Sequence, residues 1–191
     1  AKLRQLVARR LEREPEEGEL WNTAQHRDLM VLSSGPISHV YLNVSTRQLD
    51  LSEIVSFFPD LVSRLLEHPG IGLLLAREIG QVYVMSKDGL LVLGEGYQVE
   101  RADPLANLSN PALSAAQLQR LALFADSGDL IILGSYDAAL DTIICFEPQW
   151  ACHGGIGGPQ EQAFMLKPAE IDWDVDQVQQ ATEIYPLFAG Q

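Results

Sequence analysis

The sequence predicts an α/β protein in which helices pack on a mixed sheet. Segments with helical periodicity and segments with strand character alternate along the chain, and this interspersed order is typical of a sheet covered by helices. Hydrophobic residues make up 47% of the 191 residues and charged residues 20%, a composition typical of globular proteins. This length is sufficient for one domain with its own core, so we expect a single domain over residues 1–191.

The first part of the chain predicts two helical regions around a pair of strands. Apolar residues at helical spacing predict an amphipathic helix over 2–14. Strands are predicted over 29–32 and 40–44, separated by turn-forming residues 33–36. Asp50 with Glu53 three residues later predicts a capped helix start. Pro59 falls inside the apolar stripe that follows, which predicts a kink or two short helices.

The rest of the chain predicts mostly strands, with two further helices. Strands are predicted over 71–76, 82–85, 90–93, 130–133, 142–146 and 164–166. The turn at 86–89 predicts a hairpin, because an Asp-Gly pair adopts positive φ at little cost. Ser114 and Gln117 predict the cap of a helix over 118–124, and Asp174 predicts the cap of a final helix that runs to Ile184.

The charge of the chain is strongly negative and unevenly distributed. The formal net charge of −13 argues against general nucleic-acid binding, which requires a basic surface. Residues 102–191 contain 12 acidic side chains and only 2 basic ones, Arg120 and Lys167. A solvated acidic face that aids solubility is the simpler interpretation. A surface that favours cations or packs on a basic partner is the alternative.

The sequence also predicts the compartment and the state of its thiols. No apolar run approaches the roughly 18 to 20 residues that a membrane span needs. Two cysteines, Cys145 and Cys152, are too few for a disulfide scaffold, although one bridge across a turn is sterically feasible. Free thiols in a reducing compartment are the simpler expectation, and they predict a cytoplasmic protein.

His153 is the strongest candidate metal ligand of the four histidines. Two glycines precede Ile156 and two follow it in the loop after His153, so little side-chain bulk crowds the imidazole ring. A loop of this kind can present a metal ligand. The alternative is a tight turn in which the ring bonds to nearby backbone. His26 and His39 are expected to be ordinary surface histidines, and His68 is expected to end a helix.

Other candidate sites have weaker patterns. The glycine run lacks the spacing and the Lys-Ser/Thr ending of nucleotide-binding loops, so it is weak as a phosphate motif. Cys145, Cys152 and His153 resemble a partial zinc cluster, but core packing is the more natural role for Cys145. Four carboxylates cluster around strands and turns, where they are either a cation site or solvated turn residues: Asp126, Asp129, Asp137 and Asp141.

Five segments carry a resemblance to a known family: 33–42, 68–72, 128–137, 145–147 and 153–160. In the same order, they resemble the C-terminal stretch of the alkaline phosphatase superfamily, in particular its type I phosphodiesterase/nucleotide pyrophosphatase-like branch. The resemblance implies part of an α/β/α sandwich and a metal-dependent phosphodiesterase lineage. It also implies divalent metals, usually zinc, and places one metal ligand at His153.

The chain departs from the family in its catalytic parts. It shows no segment that matches the family's Thr or Ser nucleophile, and no Asp precedes a His to form the Asp-His-Gly metal motif. We therefore assign no catalytic residue and expect a C-terminal region of a longer hydrolase, or a degenerate relative, that is inactive alone. The expected partners are a missing N-terminal catalytic half or a second copy that covers an apolar patch. The alternative function is a non-enzymatic interaction module with an acidic surface.

Overall fold

The computed structural model describes residues 29–148, 151–176 and 178–189. Contacts within the chain divide it into two compact units, one that ends at Glu161 and one that begins at Gln162. The helix expected over 2–14 and His26 lie outside the described residues. Whether residues 1–191 act as a single domain stays a prediction, and each unit is described by itself.

A seven-stranded sheet dominates the first unit, in the order β1-β2-β7-β3-β4-β5-β6. Its strands are β1 (Leu29–Ser34), β2 (Ile37–Leu42), β3 (Ile71–Glu78), β4 (Gln81–Met85), β5 (Gly89–Leu93), β6 (Tyr97–Arg101) and β7 (Leu130–Gly134). β7 is buried along its whole length and lies between β2 and β3, so the centre of the sheet is also the centre of the core.

Helices cover both faces of this sheet. Two short helices, α1 (Leu51–Phe57) and α2 (Leu61–Glu67), contribute to the core cluster on one face with the buried Ile54, Leu74 and Leu130. The longer helix α3 (Pro111–Ala122) packs on the other face through Leu118 and its neighbours. Successive residues of a strand point to opposite faces, so β3 and β7 supply both clusters. This arrangement confirms the α/β class.

The pairing of the strands is antiparallel at every ladder of the seven-stranded sheet, whereas the sequence analysis expected a mixed sheet. β2 and β3 are joined through α1 and α2, a connection typical of neighbouring parallel strands. Both are antiparallel to β7, so they do run in the same direction. β7 inserts between them, and the parallel pair that this connection favours does not form.

The region around Pro59 matches the sequence analysis. α1 ends at Phe57 and α2 begins at Leu61, so Pro59 separates two short helices. The expected capping box at Asp50 is present, and the backbone N–H of Asp50 donates to Oε2 of Glu53 at 2.9 Å. The sequence therefore located both the start and the interruption of this helical region.

Strand β6 was not predicted. All five residues of β6 are exposed, so the strand has no apolar alternation that a sequence pattern can detect.

Gly89 begins β5 without the positive φ that was expected from the Asp-Gly pair. A Cβ at Gly89 would lie 1.9 Å from the carbonyl oxygen of Ala102, so glycine is needed there for close backbone approach.

Two boundaries in the first unit differ from the prediction. Helix α3 begins seven residues earlier than the predicted 118, with Pro111 in its first turn and Asn110 as its cap, while Ser114 is buried inside the helix. The strand expected over 142–146 is reduced to Thr142–Ile143 (β9), which pairs with Tyr136–Asp137 (β8) in a small separate sheet.

The second unit contains less regular structure than predicted. Phe164 and Leu166 are 94% and 93% exposed and form no strand, so the strand expected over 164–166 was wrong. The final helix expected after Asp174 is replaced by a 3₁₀ turn at Ala181–Glu183 and the short helix α4 (Tyr185–Ala189). Apolar spacing alone does not produce a helix or strand where no partner surface buries the apolar face.

Candidate functional site

The tight turn between β1 and β2 organises the candidate site. Gly35 and Pro36 form this turn, both are buried, and Gly35 has a φ of 61°, which glycine adopts without strain. A Cβ at Gly35 would lie 2.9 Å from the carbonyl oxygen of His153. The backbone of His153 therefore packs directly on this turn, and only glycine leaves the room for it.

Backbone hydrogen bonds join the other loops to the same end of the sheet. The N–H of Phe146 donates to the carbonyl oxygen of Gly35 at 2.9 Å, and the N–H of Gly134 donates to that of Pro36 at 2.7 Å. The N–H of Ser135 donates to the carbonyl oxygen of Gly70 at 3.1 Å. Each of the five segments that carry the family resemblance therefore takes part in this group of contacts.

Glu147 adds a side chain to the junction. Its Oε2 accepts a hydrogen bond from the backbone N–H of Gly35 at 3.0 Å, and the residue is half-buried. A carboxylate that accepts from a buried turn N–H satisfies a donor that would otherwise be costly to bury. The sequence analysis included Glu147 only as part of a resembling segment and gave it no role. Its contact partner is 112 residues away in sequence, so no local pattern indicates it.

The glycine loop that follows His153 is shaped by left-handed backbone and by one aromatic ring. Gly154, Gly157 and Gly158 have φ values of 79°, 97° and 62°, which side chains rarely tolerate. A Cβ at Gly158 would lie 2.5 Å from Cζ of Tyr136, so the ring packs directly against the loop. The hydroxyl of Tyr136 donates to Oδ1 of Asp141 at 2.7 Å, which holds the ring in place.

Two nearby side chains accept hydrogen bonds from backbone N–H groups of the glycine loop. The N–H of Gly155 donates to Oε1 of Gln160, and the N–H of Gly157 donates to Oε1 of Glu161, both at 2.9 Å. The second carboxylate oxygen of Glu161 accepts from the N–H of Ser109 at 3.0 Å and from its hydroxyl. Glu161 was missed by the sequence analysis, and it takes the position that a bound anion would need.

His153 lies at the surface of this junction. His153 is exposed as a whole, although its backbone packs on Gly35. Among the residues that the structure describes, no group of three or more His, Cys, Asp or Glu side chains is placed to hold a metal ion. A metal site at His153 therefore stays a prediction, and the described donors do not complete a ligand set for it.

The two cysteines are brought together by the same junction. Both are half-buried free thiols. The neighbouring Cys152 side chain, acting as a hydrogen-bond partner, raises the pKa of the Cys145 thiol to about 11, together with burial and the nearby Cys152 and Glu147 charges. Core packing was the more natural expectation for Cys145, but the residue lies outside both core clusters, beyond the end of the short strand β9.

The other described histidines have structural partners. His39 was expected to be an ordinary surface residue in a turn, but it lies on β2 and is half-buried. Its Nδ1 accepts from the N–H of Gly128 at 3.1 Å, and burial, with a smaller effect from Arg77, lowers its pKa. His68 follows α2 as expected, and its Nδ1 accepts from the N–H of Gly70 at 3.1 Å.

The four aspartates considered for a cation site have separate surroundings. Asp129 is buried and accepts from the backbone N–H groups of Leu42 and Leu49, at 2.7 Å each. Asp137 accepts from the N–H groups of its own turn, and Asp141 accepts from Tyr136. Asp126 is an exposed turn residue. Hydrogen bonds from backbone N–H groups or from the Tyr136 hydroxyl account for three of them without a cation.

Comparison with known proteins yields no relative for this chain. No family model matches it, and neither a curated protein nor a solved structure matches it. None of the helices in the described ranges is long and apolar enough to cross a membrane. The resemblance to the alkaline phosphatase superfamily therefore remains a prediction from the residues quoted above.

Proposed function

We propose that this chain is the C-terminal portion, or a degenerate relative, of a metal-dependent phosphodiesterase-like hydrolase of the alkaline phosphatase superfamily. In this proposal His153 supplies one ligand to a divalent metal, with zinc favoured, and the chain alone is inactive. The protein is proposed to be cytoplasmic and not to bind nucleic acid, as its reduced thiols and negative charge suggest.

The observation that carries the proposal is the packing of the His153 backbone on the Gly35 turn. Gly35 and His153 belong to two different resembling segments, 118 positions apart in the chain (153 minus 35). Residues that build one binding site are expected to meet in space, and the contact between the His153 backbone and Gly35 supports the proposal in this respect. The anchored backbone and exposed ring of His153 suit a ligand that completes a site with donors from another part of the protein.

The expected chemistry requires more donors than the described residues provide. Catalytic zinc takes about three protein ligands, and a bound metal polarises a phosphoryl oxygen and activates the attacking oxygen. Among the described residues, no three His, Cys, Asp or Glu side chains are placed to hold a metal ion, so no catalytic step is assigned to this chain. The other ligands and the nucleophile are proposed to come from an N-terminal half or from a second chain.

Zinc titration and phosphodiester hydrolysis test the proposal together. We expect weak zinc binding that falls about tenfold or more in His153→Ala, since a lone ligand dominates a partial site. His68→Ala is the matched control, because His68 is also exposed and lies at the same end of the sheet; it should keep the wild-type affinity.

Hydrolysis of a nitrophenyl phosphodiester with added zinc or manganese should not exceed the buffer rate. Turnover that disappears in His153→Ala would overturn the expectation that the chain is inactive alone. Zinc affinity that is unchanged by His153→Ala would contradict the proposed ligand.

The second candidate function is an interaction module, and the exposed edge of the sheet favours it. β6 is an edge strand with all five residues exposed, and residues 102–191 carry 12 acidic and 2 basic side chains. Edge strands can accept a further strand, and negative charge steers a basic partner. A chain that binds no zinc but binds a lysine-rich peptide in a salt-sensitive manner would favour this function over the first.

A further inference from the structure

Cys145 and Cys152 lie on two segments that are both held by the Gly35 turn. The residue after Cys145, Phe146, donates its N–H to the carbonyl oxygen of Gly35 at 2.9 Å. On the other segment, Cβ of Cys152 lies 3.4 Å from the position that a Cβ on Gly35 would occupy. The segments that carry the two half-buried thiols therefore meet at one turn, and Cys152 is near enough to Cys145 to influence its pKa.

We propose that Cys145 and Cys152 are a redox-sensitive modification site that closes into an intramolecular disulfide. The bridge would close the loop from 145 to 152, at the point where its two ends meet on Gly35. Disulfide formation requires two cysteines with close Cβ atoms, and the segments that carry both cysteines pack against Gly35. His153 directly follows Cys152, so the bridge would fix the backbone that presents its ring.

Hydrogen peroxide is the oxidant that the proposal requires. One sulfur attacks a peroxide oxygen and the O–O bond breaks; the departing hydroxide takes up the thiol proton and leaves as water, which gives a sulfenic acid. The second sulfur then attacks the first, the S–S bond forms, the S–O bond breaks, and a second water leaves. Two thiols and one peroxide become one disulfide and two waters, and a dithiol reverses the oxidation.

The proposed disulfide between Cys145 and Cys152 does not depend on a bound metal. Disulfide formation needs no ligand at His153, so the pair would react in the same way if the proposed function were wrong. A partial zinc cluster of the two thiols and His153 is the competing use of these residues, but no described group of three donors is placed for it.

Oxidation of the reduced full chain with one equivalent of hydrogen peroxide, followed by alkylation, tests the proposal. We expect the intact mass to lose two hydrogen atoms, both thiols to resist alkylation, and peptide mapping to join Cys145 to Cys152. Closure of a short loop should raise Tm by about 5 °C relative to the reduced chain. Dithiothreitol should restore both thiols and the original Tm.

The chain contains only these two cysteines, which makes the controls direct. Cys145→Ser and Cys152→Ser should each keep one alkylatable thiol and show no shift in Tm on oxidation. The proposal is overturned if wild-type thiols remain alkylatable after peroxide treatment, or if the main products are disulfide-linked dimers or overoxidised monomers. These readouts do not involve zinc or hydrolysis, so their failure is distinct from failure of the phosphodiesterase proposal.

Discussion

At the residue scale, Asp129 shows how one side chain connects distant parts of the sheet. It is only 6% exposed, and its two carboxylate oxygens accept from the N–H groups of Leu42 and Leu49. Arg77, also buried, donates to the carbonyl oxygens of Ala122 and Gly128. The sequence placed Asp129 among turn carboxylates, and its role became visible only when its partners, some 80 residues away, were known.

Replacing Asp129 with Asn should destabilise the fold by about 2 to 3 kcal/mol, because one buried N–H then faces an amide nitrogen instead of a charged acceptor. The free energy of unfolding in urea measures the effect. Asp126→Asn is the matched control: Asp126 is exposed, and only its backbone carbonyl accepts from Tyr41. Its stability should change by less than about 0.5 kcal/mol. Equal effects of the two substitutions would contradict the buried role of Asp129.

The candidate site was also predictable only in part at this scale. The glycines around His153 indicated an uncrowded ring, and the residue is exposed. Gly35 was predicted only as part of a turn, and Glu147 and Glu161 were given no role, because their partners Gly35 and Ser109 are 112 and 52 positions away. Local sequence carries information about crowding, but it does not show contacts between positions this far apart.

At the element scale, helix α3 illustrates how two possible caps compete. The sequence analysis placed the cap at Ser114 with Gln117, because this spacing resembles a capping box. In the structure Oδ1 of Asn110 accepts from the N–H of Leu113 at 3.1 Å, and Pro111 occupies the first turn. Both patterns are favourable locally, and the burial of Ser114 against the sheet decides between them.

Asn110→Ala should therefore cost about 1 kcal/mol through loss of the helix cap. Ser114→Ala should change stability by less than about 0.5 kcal/mol, because Ala favours the helix interior. Thermal and urea unfolding of both variants separate the two assignments. A larger loss in Ser114→Ala than in Asn110→Ala would show that the helix begins where the sequence placed it.

Gly89 gives a second test at the element scale, in the β4–β5 hairpin. An alanine there would place its Cβ 1.9 Å from the carbonyl oxygen of Ala102, so we expect a loss of about 3 kcal/mol. Gly96→Ala is the control, since no atom lies within 4 Å of its Cβ position and its φ is not positive. That variant should be neutral, or stabilised by up to about 1 kcal/mol. Similar stabilities of the two variants in urea would contradict the close approach at Gly89.

At the scale of the whole molecule, the first unit holds the cores that the structure describes. Both hydrophobic clusters are built from residues between Leu29 and Ile156, and none of the described residues of the second unit belongs to either. Tyr97 and Val99 lie on one face of the edge strand β6 and are exposed, and an apolar patch covered by a partner was expected from the sequence. The partner that would cover it stays a prediction.

Removal of residues 162–191 should leave the sheet folded, with Tm lowered by less than about 4 °C, the shift that roughly 1 kcal/mol produces at this size. The physical reason is that the described core residues all lie outside this segment. Calorimetry of the shortened and full-length chains measures the difference. A shortened chain without a cooperative transition would show that the first unit depends on the second.

The α/β class, most of the strands in the large sheet, the break at Pro59 and the uncrowded surroundings of His153 could be read from the amino-acid sequence. These follow from periodicity, the proline ring and residue size, which are local properties. The antiparallel order of the sheet, the insertion of β7 and the meeting of Phe146, Cys152 and His153 on Gly35 became visible only in the folded chain. These depend on which distant surfaces bury each other, and that choice is made by packing of the whole chain.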